Sequence, residues 1–399
     1  MKILAGLVLL LAIYGLSHQT FKRSENKSTA NLSPITSNAP LLINEVTSLL
    51  NVKQISEPQR PLALLNTVVP PATTMQLSWQ LNQILDGLSQ PTPVLVVNGA
   101  RVGPTLCLTA AVHGDELNGI EIVRRIIHTT DPEKLSGTII GVPIVNLQGF
   151  QRASRYLTDR RDLNRFFPGH PQKSLAARIA HSFFNDVILH CQFLVDMHTG
   201  SSHRTNLPQI RANLDDPDVV AFAQAFGMSV ILHSVGSEGM LRYAALEKGI
   251  PSVTMEAGKS LTLQEEAIKY GVKSINILLS NLAMLENDSP LDKMESIYYH
   301  SNWVRVDHGG FLFSTVKLGE EVSRNKVLGI ITDPITNLQS EIISPYNGRI
   351  IGMAVDQVVM PGFASFHIGI QESEEKVARI DGEIKKLPLG QSDKIFKSE

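Results

Sequence analysis

Three apolar runs in this chain stop on a polar residue and turn at once into glycine. Residues 106–112 lead into His113-Gly114-Asp115-Glu116, residues 193–195 into Asp196-Met197-His198-Thr199-Gly200, and residues 252–255 into Glu256-Ala257-Gly258. Short apolar runs bounded by such turns read as buried strands. Open α/β sheets bind ligands outside the carboxyl ends of their strands, so three such ends can converge on one crevice. Two histidines and one carboxylate form a three-ligand zinc set with an open fourth position for water. Glu256 is then left over as a candidate base.

The pattern around these runs fits such a sheet. Residues 116–127 carry apolar positions at helical spacing, residues 137–145 read as a strand, and Ser174 opens a further helix. Asp216-Pro217 is a cap followed by proline in the first turn, with Gly227 as the stop. Thr262 with Glu265 has the form of a capping box opening a long helix toward Leu285. The alternation predicts an α/β domain over residues 61–295, a mixed or mostly parallel sheet flanked by helices. From residue 296 to about 375 the pattern changes to short β-rich runs (303–306, 311–316, 327–331, 341–344 and 349–352) separated by turn residues, which predicts an all-β module. Residues 376–399 read as a polar tail.

Hydrophobic residues at 43% and charged residues at 19% suffice for a filled globular core. A formal net charge of −2 gives no electrostatic ground for a nucleic-acid partner. The only cysteines, Cys107 and Cys191, lie in or beside predicted strands and read as small buried hydrophobes. They are too few for a disulfide framework, though a single bridge stays open. After Met1-Lys2, about fourteen mostly apolar residues fit a secretory core better than a span of ~20. Residues 1–17 are therefore expected to be a signal peptide, with an uncleaved inner-membrane anchor through residues 3–16 or a buried helix as the competing readings. Residues 18–60, rich in Ser, Asn, Thr and Pro, read as a linker with at most one short helix over 41–50.

His113 and Glu116 stand three residues apart across a strand end, so both can face one ion, with His198 arriving from a separate strand. An H-x-x-E pair alone is as readily a strand-end histidine and a helix-terminal charge; the other two strand ends shift the balance. Asp196, two residues before His198, could accept the ring N–H of a ligating histidine. Residues 154–169 hold four arginines. Within them Asn164 and Arg165 can grip a substrate carboxylate, and Arg155 can reach a developing oxyanion. Arg160 and Arg161 read as solvated.

Taken together, H-G-D-E (113–116), R-Y followed by D-L-N-R-x-F-P-G (155–169), D-M-H-T-G (196–200) and G-I-P-S-V-T-M-E-A-G (249–258) resemble the succinylglutamate desuccinylase/aspartoacylase family of the zinc carboxypeptidase-like superfamily. The resemblance spans roughly residues 90 to 370. It implies a zinc carboxypeptidase-like fold and one Zn2+ per chain held by His113, Glu116 and His198. It further implies Glu256 as general base, Arg155 polarising the carbonyl, and Asn164 and Arg165 on the substrate carboxylate. Arg242 is similar to a second carboxylate anchor. The implied reaction is hydrolysis of a small N-acyl amino acid; a zinc carboxypeptidase or cell-wall peptide hydrolase is the alternative, and a non-catalytic metal-binding envelope protein a further one. The β-module resembles the family's C-terminal barrel-sandwich, with matching turns at Gly319-Glu320-Glu321-Val322, Pro345-Tyr346-Asn347-Gly348 and Met360-Pro361-Gly362. Its turn at Thr332-Asp333-Pro334 has no lysine to carry a cofactor, which implies a structural or gating role. A secretory start implies a periplasmic protein, unlike the family's cytosolic members.

Overall fold

The computed structural model describes residues 57–81, 90–201, 203–228, 230–286, 296–355 and 357–370. The expected leader or anchor, most of the linker with its helix over 41–50, and the polar tail lie outside the described residues. Among the described residues, nineteen strands run in chain order. The first seven are β1 (Leu62–Leu64), β2 (Thr67–Val69), β3 (Thr73–Trp79), β4 (Thr92–Asn98), β5 (Arg101–Ala110), β6 (Ser136–Val142) and β7 (Phe193–Gly200). Then come β8 (Arg204–Ala212), β9 (Val230–His233), β10 (Ser252–Lys259), β11 (Ser296–Tyr298), β12 (His300–Arg305) and β13 (Gly310–Ser314). The last are β14 (Glu321–Val322), β15 (Val327–Thr332), β16 (Gln339–Ile343), β17 (Gly348–Ala354), β18 (Gln357–Val359) and β19 (Ala364–Ile370).

One large mixed sheet follows the order β12-β19-β17-β8-β10-β7-β5-β6-β4-β3. Its centre, β10-β7-β5-β6, is parallel. Every residue of β7 and all but the last of β10 are buried, as expected of parallel strands covered on both faces. Alternate residues serve the two faces. Leu106, Leu108 and Ala110 of β5 pack with Ile122, Val123 and Ile126 of helix Asn118–Thr129 and with Ile275 and Leu278 of helix Glu265–Asn281. Cys107 points the other way, toward Phe183 and Phe184 of helix Leu175–Asp186. There it is bonded to Cys191, so the two sulfurs are a bridge rather than the free buried thiols the sequence suggests. Adjacent parallel strands bring positions 84 apart in sequence to 5.7 Å between Cα atoms, within disulfide reach.

Two helix starts differ from expectation. Helix Asn118–Thr129 begins after Glu116, whose carboxylate turns toward the histidines instead of sitting in the helix. Gly119 allows this start to press on the sheet, because a Cβ there would lie 2.8 Å from the Cβ of Met197. The Thr262 capping box does not form. Helix Glu265–Asn281 starts three residues later, and the Asn118 carboxamide accepts the Gln264 N–H while the Gln264 side chain accepts that of Lys259.

The β-rich C-terminal region divides between two sheets. β13, β15, β16 and β18 form a four-stranded antiparallel sheet. β12, β17 and β19 continue the large sheet, with β17 paired to β8 through Gly352↔Asn206 and Met353↔Thr205. Leu312, Leu328 and Ile342 of the first pack against Ile350, Phe366 and Ile368 of the second. Among the described residues no helix is long and apolar enough to cross a membrane.

Candidate metal centre and active site

The register of the parallel strands decides what the three strand ends can do. Glu256 on β10 lies opposite His198 on β7, and Met197 lies opposite Ala110, so the ends of β10, β7 and β5 are level. Beyond β5 the backbone turns sharply at Ala111, which adopts a left-handed φ of 47°, and His113 and Glu116 come back over the sheet end.

The ligand atoms of His113, Glu116 and His198 lie within 4.8 Å of one another, and all three residues are buried. Nδ1 of His113 is 3.0 Å from Glu116 Oε1, Nδ1 of His198 is 2.8 Å from Oε2, and the two Nδ1 atoms are 3.1 Å apart. The far nitrogens face carboxylates: His198 Nε2 is 2.8 Å from Asp196 Oδ2, and His113 Nε2 is 3.1 Å from Asp162 Oδ1. An ionised carboxylate only accepts, so both Nε2 atoms carry protons, and a neutral imidazole then has its Nδ1 lone pair aimed inward. Two inward lone pairs and a carboxylate repel one another unless a proton or a metal cation sits among them. Imidazole and carboxylate are the zinc donor classes, with outer carboxylates fixing the ring tautomers, so the residues fit a catalytic zinc.

The titration behaviour of the metal-free cluster follows. Burial pulls His198 down, but the Asp196 and Glu116 carboxylates outweigh it and hold the imidazole well above its ordinary range. His113 is likewise raised, burial being overcome by Glu116 and Asp162. Burial pushes Glu116 up, but the two imidazoles hold it well below the usual carboxylate range. Asp162 is lowered too, burial being outweighed by His113 and then Arg155.

A cavity of about 380 Å³ opens over this centre, a volume suited to a small ligand. Each residue expected at the site lines it: His113, Glu116, Arg155, Asn164, Arg165, His198, Arg242 and Glu256. Arg155 donates to Asp162 at 2.8 Å and places Nη1 3.1 Å from His113 Nδ1, so its guanidinium edges the metal position. Asn164 is fixed by accepting the Leu241 N–H on Oδ1 at 2.8 Å. Arg165 is exposed and braced by its own neighbour's carbonyl. Arg242 is 5% exposed and anchored on Ser234. Burial, and then neighbouring Arg211, pushes its guanidinium down to about 10.

Several participants escaped the sequence reading. Asp162 stands inside the D-L-N-R motif, but nothing local says that it reaches His113. Glu256 is held by β8: Asn206 Nδ2 donates to Oε2 at 2.9 Å, and Arg211 Nη1 lies 3.4 Å from Oε1. β8 has three steps from Asn206 to Gln209 opposite two from Glu256 to Gly258. This irregularity beside Pro208 breaks the period of two, so Arg204, Asn206 and Arg211 all reach the same cavity. Trp303, Arg305 and Ala364, from β12 and β19, complete the wall.

Residues 102–282 match the family model of the succinylglutamate desuccinylase/aspartoacylase catalytic domain. An N-alpha-acetyl-L-2,4-diaminobutyric acid deacetylase from Halomonas elongata is 28% identical over 253 residues, covering 60% of this chain and 74% of the relative. A succinylglutamate desuccinylase/aspartoacylase structure from Rhodobacter sphaeroides superposes with a TM-score of 0.68 at 23% identity, over 75% of this chain and 96% of the other. The ectoine utilization protein EutE from Ruegeria pomeroyi, in a product-bound structure, gives 0.69 at 24%, over 80% and 100%.

Proposed function

We propose that this chain, whose residues 102–282 match the catalytic-domain model of the succinylglutamate desuccinylase/aspartoacylase family, is a zinc-dependent amidohydrolase that splits a small N-acyl amino acid into a carboxylate and an amine. The observation that carries this reading is the inward convergence of the two Nδ1 atoms and Glu116, with Glu256 in the same cavity. The Halomonas relative, named as a deacetylase of an N-acetyl amino acid, supports the reaction class.

His113, Glu116 and His198 hold the ion, and Asp162 and Asp196 fix the two rings. Bound zinc supplies Lewis acidity toward the carbonyl and an acidified water. Glu256, oriented by Asn206 and Arg211, accepts the water's proton and returns it to the departing nitrogen. Arg155 donates N–H toward the oxygen that gains charge at the scissile carbonyl. Asn164 and Arg165 hold the amino-acid carboxylate, with Arg242 as a second anchor. The test is hydrolysis of N-acetyl and N-succinyl amino acids by purified protein, with and without chelator. Activity that survives metal removal, or that persists at wild-type level in Glu256→Gln, rules the reading out. Turnover of peptides alone assigns the centre to peptide hydrolysis instead.

We further propose that the protein works outside the cytoplasm, in the periplasm or tethered to the inner membrane by residues 3–16. The apolar N-terminal stretch supports this, as does the Cys107–Cys191 bridge, because such bonds persist in oxidising compartments. Fractionation of cells into periplasm, membrane and cytoplasm tests it; recovery in the cytoplasm refutes it.

A further inference from the structure

The cavity holds more positive charge than the proposed chemistry uses. Six arginines line it (Arg155, Arg165, Arg204, Arg211, Arg242 and Arg305) against the carboxylates of Glu116 and Glu256. Arg155 is neutralised by Asp162, and Arg211 leans on Glu256. Among the described residues, no carboxylate pairs with Arg204 or Arg305. These two do not stand on the wall that carries Asn164, Arg165 and Arg242. They come from β8 and β12, beside β19, where the large sheet leaves the catalytic region.

Both guanidiniums are held in place without an anion. Arg204 lies over the rings of Trp303 and Phe363, at 5.2 and 4.3 Å from their centroids, and donates Nε–H to the Ala364 carbonyl at 2.8 Å. Trp303 is itself stacked on buried His367 at 4.6 Å. Arg305 donates to the Gly362 carbonyl at 2.8 Å. The two cations are thus tied to one stretch of backbone, residues 362–364, and burial together with Arg305 makes Arg204 a weaker base than usual. Like charges fixed side by side are unfavourable unless an anion joins them. Each backbone anchor uses only one N–H of a five-donor fork, so donors remain for a carboxylate.

We propose that Arg204 and Arg305, framed by Trp303, form an anion subsite that takes a second substrate carboxylate, apart from the one gripped by Asn164 and Arg165. The site's location in the cavity rests on the amidohydrolase reading only for its link to turnover; the anion binding itself does not. The carboxylate has two possible sources in an N-acyl amino acid, the end of the acyl chain or the amino acid's side chain. A neutral acetyl group on an amino acid with a cationic side chain leaves this wall unmatched.

The test uses the full zinc-loaded chain and two probes, glutarate with two carboxylates and butyrate with one, titrated by calorimetry. Glutarate is expected to bind at least about tenfold more tightly, the equivalent of about 1.4 kcal/mol. Arg305→Gln, an exposed position whose change spares the core, should bring that ratio close to one, and Arg305→Lys should retain most of it. Equal binding of the two probes, or a ratio untouched by Arg305→Gln, overturns the subsite. Relative kcat/KM for N-succinylalanine, N-acetylglutamate and N-acetylalanine then identifies the source. Preference for the first places the carboxylate on the acyl chain, and preference for the second on the side chain. Turnover of none of the three, with the glutarate preference intact, refutes the amidohydrolase reading and leaves the subsite standing.

Discussion

Reduction of the Cys107–Cys191 bond should weaken the fold by an amount the sequence separation fixes. The bond closes a loop with a separation of 84 residues, and loop-closure entropy for that length gives about 4.5 kcal/mol at 25 °C. For a folded region of roughly 300 residues, the unfolding entropy is about 0.6 kcal/mol/K, which converts the loss to a Tm decrease of about 7 °C. The loop contains His113, Glu116, Arg155, Asn164 and Arg165, yet its ends are also joined by the β5–β7 ladder, Cys107 lying opposite Leu194. The native site should therefore survive reduction, with kcat little changed below the new midpoint. Thermal melts followed by circular dichroism, with and without reductant, measure the shift. The Cys107→Ala/Cys191→Ala variant is the control whose Tm must not respond to reductant. Identical melting of oxidised and reduced protein would refute the argument, as would two free thiols titrated in protein unfolded without reductant.

Glu256→Gln should lower kcat by about 10²- to 10⁴-fold while zinc stoichiometry by metal analysis stays at one per chain. Asp196→Asn should weaken zinc binding about 10- to 100-fold in a chelator competition, because the ring of His198 loses its orienting acceptor; unchanged affinity would show that the strand alone positions it. In metal-free protein, the histidines are raised above 6.5, so their contribution to stability is complete below that pH and disappears as pH rises through their folded values. Glu116 is depressed below 4.5, so its contribution is present above that pH and is lost on acidification. The chelated protein should thus be most stable between about pH 4.5 and 6.5, and zinc should bind more tightly as pH rises and the imidazoles lose protons. A chelated Tm that climbs steadily from pH 6 to 9 contradicts this.

The parts of the site carried by regular strands were legible in the sequence, because an apolar run ending in a polar residue and glycine fixes both strand and terminus. His198 and Glu256 are of this kind, and His113 follows the end of β5 by three residues, past the turn at Ala111. Asp196 was inferable from the two-residue period alone. β8 was not, since its residues Arg204, Asn206 and Gln209 are polar yet face buried neighbours, and its irregularity near Pro208 destroys the alternation that identifies a strand. Asp162 and Asn206 meet His113 and Glu256 across long sequence separations, and no local pattern encodes which distant side chain a carboxylate or amide will meet. The Thr262 cap misled for the opposite reason: the local motif was present, but Asn118, distant in sequence, took its role.

The hydrogen bonding of β17 to residues 204–206 of β8, next to the stretch where β9 pairs with that strand, has a consequence for how this protein can be divided. Severing the chain after helix Glu265–Asn281 would strip β17 from residues 204–206 of β8 and bare their backbone groups along an open edge, an invitation to pair with another molecule. The fragment would also lose the side of the cavity bearing Trp303. The region matched by the family model, residues 102–282, and the β-rich extension share one hydrogen-bonded sheet, so the matched region ends before that sheet does.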